Sequence, residues 1–134
     1  MAFQSAEEVE AAFYDAFAAC DVGAMGRLWI QEDAVCIHPG AVPLLGREAV
    51  MRSWEHIFAG AAGPSIKVQA IRRIAGKDLA IHIVEEQIAA PGDPSANAIV
   101  LATNVYRCTE TGWLMASHQG VLMTGASGTG QTLQ

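Results

Sequence analysis

Three helices are predicted by the spacing of apolar residues in the first part of the chain. Ser5-Ala-Glu-Glu8 is a capping-box pattern, and apolar residues then recur at helical spacing as far as Cys20. Asp21 is the expected N-cap of a second, shorter helix, and Gly46 introduces a third. The third helix is expected to end at the stretch Gly60–Pro64, because glycine and proline interrupt helices.

Beyond this stretch the pattern changes to extended segments rich in β-branched residues. We expect four strands, at residues 65–75, 78–90, 97–109 and 112–124. A loop at Pro91–Ser95 is expected to join the second of them to the third. A short buried strand, Ala34–Ile37, precedes the third helix and ends at Pro39, since proline cannot donate to a sheet ladder.

Helices followed by strands are typical of an α+β domain, here with three helices packed on one face of a mostly antiparallel sheet. We expect this single domain to span residues 1–124. Residues 125–134 are rich in Gly, Ser, Thr and Gln, and this composition predicts a disordered tail.

The strand predicted at residues 97–109 is apolar on both sides. Leu101 and Val105 lie in one phase, and Val100 and Ala102 in the other, whereas a sheet with one wet face alternates. Three helices cover a single face, so we expect a second copy to cover the outer face in a homodimer. The overall composition, 51% apolar against 16% charged, points the same way.

The net charge of −6 argues against nucleic acid or an anionic membrane as a partner. Three cysteines without metal-type spacing are typical of reduced thiols, and no signal-peptide pattern or membrane-length apolar run is present, so we expect a cytoplasmic protein. The sequence shows no phosphate loop, dinucleotide fingerprint or recurrent metal-ligand spacing, so it implies no cofactor and no metal.

Several short motifs, in this order of elements, carry a resemblance to a known fold. They are Phe13-Tyr-Asp-Ala-Phe17, Asp21, Leu28-Trp29, Asp33-Ala34, His38-Pro39, Gly46-Arg-Glu-Ala-Val50, Ser53-Trp54, Thr103-Asn-Val-Tyr-Arg107 and Trp113. The chain resembles the NTF2-like, cystatin-like cone, in which helices pack on a strongly curved sheet. Within it the chain is similar to SnoaL-like and ketosteroid-isomerase-like bacterial proteins, and to those labelled as kinase-II association domains. This fold hosts isomerases, dehydratases, cyclases and non-catalytic dimerisation domains, so the resemblance implies a fold and a pocket more than an activity.

The resemblance places three positions at the family's site. His38 falls where the isomerases carry their aspartate base, and Asn104 where they carry a protonated aspartate that holds the oxyanion. Counting back from Asp21, the family's first-helix tyrosine aligns with Phe13 rather than Tyr14. All three identities differ from the isomerases, so the resemblance implies the place of the pocket and not steroid isomerisation.

His38 is the strongest candidate for proton transfer, because an imidazole titrates near neutrality. The alternative is a histidine satisfied by backbone groups at a strand end. Glu85 is the second candidate. The resemblance implies that Ile81, Ile83 and Glu85 point inward, which gives a His38–Glu85 acid–base pair. Burial of Glu86 instead stays open, because a one-residue bulge exchanges the two faces.

Asn104 shares its strand phase with Ala102 and Tyr106, and a polar amide in an apolar wall needs a partner from ligand, water or protein. As a neutral donor it would polarise a substrate carbonyl, and the alternative is a structural role at a bulge. Further pocket-lining candidates are Tyr14, Ser53, Trp54, Ile83 and Ser117. His82 and His118 are expected to point outward.

The sequence therefore predicts a pocket for an apolar or aromatic small molecule. As an enzyme, the domain would catalyse isomerisation, dehydration or cyclisation next to a carbonyl, with His38 as base, Asn104 as donor and Glu85 as acid or orienting group. The competing interpretation is a non-catalytic ligand-binding or dimerisation module of the same fold.

Overall fold

The three predicted helices form where their caps indicate. The computed structural model describes residues 2–60 and 63–123. Its helices are α1 (Ala6–Ala19), α2 (Val22–Leu28) and α3 (Arg47–Ala59). Ser5 caps α1 by accepting a hydrogen bond from the backbone N–H of Glu8, and Asp21 caps α2 in the same way.

Six strands form one sheet in the order β2-β1-β6-β5-β4-β3. They are β1 (Val35–Ile37), β2 (Leu44–Leu45), β3 (Ser65–Ala75), β4 (Leu79–Ala90), β5 (Asp93–Thr109) and β6 (Gly112–Leu122). β1 runs parallel to β6, and every other neighbouring pair is antiparallel. The predicted α+β class, with three helices on a mostly antiparallel sheet, is confirmed.

Two details differ from the prediction. The two-residue strand β2 follows the turn after His38 and was not expected, because so short a segment carries no periodicity. The loop expected at Pro91–Ser95 shrinks to the turn Pro91-Gly92, with Gly92 at φ +74°, and β5 begins at Asp93. The predicted tail at residues 125–134 lies outside the described residues.

The core lies between the helices and the inner face of the sheet. Phe13 of α1 packs edge-on against Trp54 of α3, with ring centroids 5.6 Å apart, and both side chains are fully buried. On the outer face, side chains such as Ile83, Leu101 and Val105 remain half-buried. Within the described ranges, no helix is both long enough and apolar enough to cross a membrane.

One row of side chains crosses four strands on the inner face. Cys36 lies beside His118, His118 beside Asn104, and Asn104 beside His82 in the strand register. All four side chains are buried, with at most 2% exposure. Polar side chains in the middle of an apolar sheet face must form hydrogen bonds within the protein. The candidate site lies beside this row, at the end of β1.

The outward assignment of His118 is wrong because of a bulge. Val105 pairs with Ser117 and Tyr106 with Met115, so Ala116 is an extra residue in β6. Met115 and His118 therefore both point inward although they are three residues apart, and Ser117 lies on the outer face.

The assignment of phase in β4 is also wrong. His82 and Glu86 are buried at 1% and 2% exposure, whereas Ile83 and Glu85 lie on the outer face. The register with β5 is regular from Leu79 to Ala89, so no bulge exchanges these faces. Both phases of β4 carry apolar residues, and the sequence pattern alone does not distinguish them.

Candidate functional site

A mainly apolar groove of about 670 Å³ opens beside the end of β1. It is lined by His38, Leu44, Ala49, Arg52, Ser53, His56 and Ile57. This volume is within the range of small-molecule sites, and apolar walls with a few polar groups are typical of them. His38 directly follows β1, which ends at Ile37, and its side chain lines the groove.

The hydrogen bonds of His38 define which ring nitrogen is basic. Ser53 Oγ lies 2.7 Å from the carbonyl of Val50 and donates to it, and it lies 3.0 Å from His38 Nε2. Since the serine proton is used on Val50, Nε2 carries the imidazole proton and donates to Ser53. The lone pair is then on Nδ1. Partial burial lowers the pKa of His38, so its neutral, basic form prevails at neutral pH.

Trp54 forms the inner wall behind His38. Its ring meets the imidazole edge-on, with centroids 4.9 Å apart, and it also contacts Phe13, Phe17 and Phe58. The side chain is fully buried, so Trp54 packs behind His38 without lining the groove itself. Its indole Nε1 has no hydrogen-bond partner among the residues that the structure describes.

Behind this wall lies a chain of four buried polar side chains. His118 Nδ1 donates to Asn104 Oδ1 at 2.6 Å, because an amide oxygen can only accept. Asn104 Nδ2 donates to the hydroxyl of Tyr14 at 3.0 Å, and Tyr14 donates to Glu86 Oε2 at 2.5 Å. The donors all run in one direction and end at the Glu86 carboxyl group.

Burial dominates the electrostatics of this chain. It raises the pKa of Glu86 to about 7, with the Tyr14 hydrogen bond opposing, so this carboxyl group is partly protonated at neutral pH. Burial lowers the pKa of His118 to about 3, and a smaller part of this comes from the nearby His38. The chain is therefore built to hold neutral groups in the interior.

Asn104 and Tyr14, both predicted to line the pocket, are brought together by the fold. The hydroxyl that meets Asn104 belongs to Tyr14, whereas Phe13, the residue aligned by counting, packs against Trp54. Asn104 is fully buried and both ends of its amide are used within the protein. In this geometry it holds Tyr14 and His118 in place.

The other predicted site residues divide between the two faces of the sheet. Ala102 and Tyr106 are buried on the inner face, as predicted, and the Tyr106 ring lies 4.8 Å from that of His82. Ile83, Glu85 and Ser117 lie on the outer face, so no Glu85–His38 pair exists. Glu85 instead accepts a hydrogen bond from the exposed side chain of Gln87 at 3.0 Å.

A second polar cluster joins α1 to the far strands. Glu10 is 5% exposed and accepts two hydrogen bonds from Arg73, at 3.0 and 3.1 Å. His82 Nδ1 lies 2.8 Å from the same carboxyl group. In the described part of the chain, no three His, Cys, Asp or Glu side chains form a group that would hold a metal ion.

The sequence left the burial of Glu86 open, and it did not predict the inward position of His118 or most of the groove lining. His56 lies three residues after Ser53 and four after Arg52, spacings that place side chains together on a helix, and this signal was available. The inward position of His118 depends on the bulge at Ala116, for which the sequence gives no turn or glycine signal.

The model of the SnoaL-like domain family matches residues 6–124. The chain belongs to this family. A search of functionally curated proteins finds no significant match.

Solved structures agree with this assignment. One is a Thiobacillus denitrificans protein provisionally named as a calcium/calmodulin-dependent protein kinase type II association domain. It is 38% identical, has a TM-score of 0.86, and the match covers 92% of this chain and 99% of that one. A Streptomyces avermitilis protein, provisionally named as a dehydratase of the NTF2-like family, is 27% identical with a TM-score of 0.79, over 89% of this chain and 94% of that one.

A ketosteroid isomerase-like protein from Erwinia carotovora is 17% identical, with a TM-score of 0.73, over 88% of this chain and 93% of that one. At this identity the likeness concerns the fold. The resemblance to the NTF2-like, SnoaL-like and ketosteroid-isomerase-like group, read from the sequence, is thus confirmed.

Proposed function

We propose that this SnoaL-like domain binds an apolar or aromatic small molecule in the groove at His38 and catalyses proton transfer next to a carbonyl, without a cofactor. The observation that carries the proposal is a neutral histidine, oriented by Ser53, at the wall of a mainly apolar groove. The names of relatives, a dehydratase and a ketosteroid isomerase-like protein, are compatible with this reaction class.

In the proposed step, Nδ1 of His38 accepts a proton from the carbon next to the substrate carbonyl. The C–H bonding electrons move into the enolate, and the imidazole becomes imidazolium. Where a carbon–carbon double bond is conjugated with the enolate, return of that proton to the far carbon of the conjugated system gives the isomer and regenerates neutral His38. The low pKa of His38 keeps the base form available, and Ser53 keeps the ring oriented.

A second candidate is ligand binding without turnover. It is favoured by Asn104, whose amide is fully used by Tyr14 and His118, so that the donor expected for the substrate carbonyl is occupied. The two candidates differ in one measurable property, the exchange of carbon-bound protons.

The test is deuterium incorporation into indanone, an enolisable aromatic ketone, followed by proton NMR in heavy water. We expect the protein to accelerate exchange next to the carbonyl, and His38→Ala to abolish the acceleration. His38→Gln preserves a side-chain donor for Ser53 but cannot take up a proton, so it should bind indanone and fail to exchange it. Val42→Ala, at a position that is 74% exposed and outside the groove lining, is the control that should keep the full rate.

Binding of indanone without exchange in the unmodified protein would favour the second candidate. Loss of folding in both His38 variants, shown by circular dichroism, would mean that this histidine is structural and would contradict the catalytic role.

The outer face of the sheet supports a further part of this proposal. On this face Ile81 lies opposite Val105, and Ile83 and Leu101 follow on the same two strands, all half-buried in the single chain. We propose that a second copy covers this face in a homodimer. The free thiols of Cys20, Cys36 and Cys108 are compatible with the cytoplasmic location that we also propose.

A further inference from the structure

An arginine and a histidine lie on the groove side of α3. Arg52 and His56 are four residues apart and so share one face of the helix, and both line the groove together with Ala49 and Ser53. The groove side of α3 therefore carries the serine that orients His38 and, from the preceding residue, the positive charge of Arg52.

The Arg52 guanidinium is weakly held. Its ion pair with Glu48 is 3.8 Å long, and the two side chains are 67% and 92% exposed, so water screens most of the attraction. Arg47 and Arg73, by contrast, form short hydrogen bonds within the protein. Arg47 donates to the backbone carbonyls of Trp29 and Gly26, and Arg73 is held by Glu10.

Arg52 supplies the one fixed charge among the described residues that line the groove. The whole chain carries a net charge of −6, yet none of the seven described lining residues is acidic. The remaining lining is largely apolar and includes Leu44, Ala49 and Ile57. A site of this composition complements a ligand with an apolar body and one negative group.

We infer that the ligand of this groove is an apolar carboxylic acid whose carboxylate pairs with Arg52 while its carbon skeleton lies against the apolar wall beside His38. The inference rests on the proposed function, because it names the substrate class of the same groove. Arg52 acts as a specificity-determining residue: it selects the acid over the corresponding neutral amide.

The experiment compares phenylpropanoate with phenylpropanamide, a pair that differs in charge and little in shape. Calorimetric titration of the unmodified protein at low salt should show the acid binding roughly fivefold more tightly than the amide, the size expected for an exposed ion pair. Arg52→Gln should remove this preference and leave amide binding unchanged. Added sodium chloride should weaken acid binding alone.

The control is Arg72→Gln, which removes the same charge from β3, the sheet edge farthest from β1. It should keep the preference for the acid, because only a local contact distinguishes the two arginines. Equal affinity for acid and amide in the unmodified protein, or a preference that survives Arg52→Gln, would overturn the inference.

The indanone exchange assay separates the two proposals. If His38-dependent exchange persists while the acid shows no preference, the proposed function stands and the substrate class is wrong. If the acid preference depends on Arg52 and exchange is absent, the ligand class stands and the catalytic function fails. If neither probe binds and exchange is absent, both proposals fail.

Discussion

Glu86 carries a carboxyl group that the fold places in the apolar interior. It is 2% exposed, accepts a hydrogen bond from Tyr14, and its pKa is raised to about 7 by burial. A raised carboxyl pKa means that the folded protein holds a proton that the unfolded chain releases. Stability is therefore present below the unfolded pKa of 4.5 and falls as the pH rises towards 7.

Glu86→Gln should remove this pH dependence, because glutamine is neutral and its amide oxygen still accepts from Tyr14. The stability of the variant relative to the unmodified protein should rise from pH 4 to pH 8 by up to about 3 kcal/mol, since each pKa unit corresponds to about 1.4 kcal/mol. Urea denaturation at a series of pH values measures the difference, in which the opposite contribution of His118 cancels.

Glu85→Gln is the matched control, one residue away on the outer face. It should show no such trend between pH 4 and pH 8. An equal pH dependence in the two variants would contradict the assignment of the buried carboxyl group to Glu86.

At the scale of residues, the sequence indicated which side chains lie near the groove more accurately than it indicated their contacts. His38 and Ser53, both candidates from the sequence, line the groove, whereas Trp54 is fully buried and packs against His38 from the interior. Which of Glu85 and Glu86 is buried was left open, because Ile81 and Ile83 make the outer phase of β4 as apolar as the inner one. The direction of a strand face depends on the partner strands, and this information is not local.

At the scale of elements, the end of β1 is held against β6 by a close approach. A Cβ atom added at Gly120 would lie 3.0 Å from Val100 Cγ1 and 3.2 Å from Pro39 Cγ. Pro39 follows His38 directly, so the missing side chain at Gly120 allows the segment that carries His38 to pack closely against β6. Contacts of this kind are tighter than side chains normally adopt.

Gly120→Ala should therefore destabilise the fold by about 1–3 kcal/mol, the usual cost of overpacking, and should shift His38. Urea denaturation measures the first effect, and the indanone exchange rate the second. Gly60→Ala is the control, because no atom of the described residues lies within 4 Å of an added Cβ there. Its stability should be unchanged or slightly higher, and equal stabilities of the two variants would refute the close-packing argument.

Elements with local signals were predictable and those without were not. Ser5 and Asp21 predicted the starts of α1 and α2 correctly, because an N-cap is a hydrogen bond between residues close in the sequence. The bulge at Ala116 results from how β6 pairs with β5, and it alone moves His118 from the outer face to the interior. The polar chain behind Trp54 was therefore beyond local reasoning, although each of its members is an ordinary polar residue on a regular element.

At the scale of the whole molecule, the groove and the proposed dimer surface lie on different parts of the fold. The groove is lined entirely by residues from the segment between His38 and Ile57, whereas the proposed dimer surface lies on the outer face of β4 and β5. Covering that face with a second copy would remove water from half-buried side chains such as Ile83 and Leu101 without closing the groove.

Leu101→Lys should convert the dimer to a monomer, because it replaces an apolar side chain of the proposed interface with a charged one, which the partner copy would have to strip of water together with its neighbour Glu85. Light scattering coupled to gel filtration should give twice the mass of a single chain for the unmodified protein and for Val42→Lys, a change at a position that is 74% exposed. The Leu101 variant should give the mass of one chain. Since no groove residue lies on the outer face, the monomer should still bind indanone, and a dimeric Leu101 variant or a monomeric unmodified protein would refute this interface.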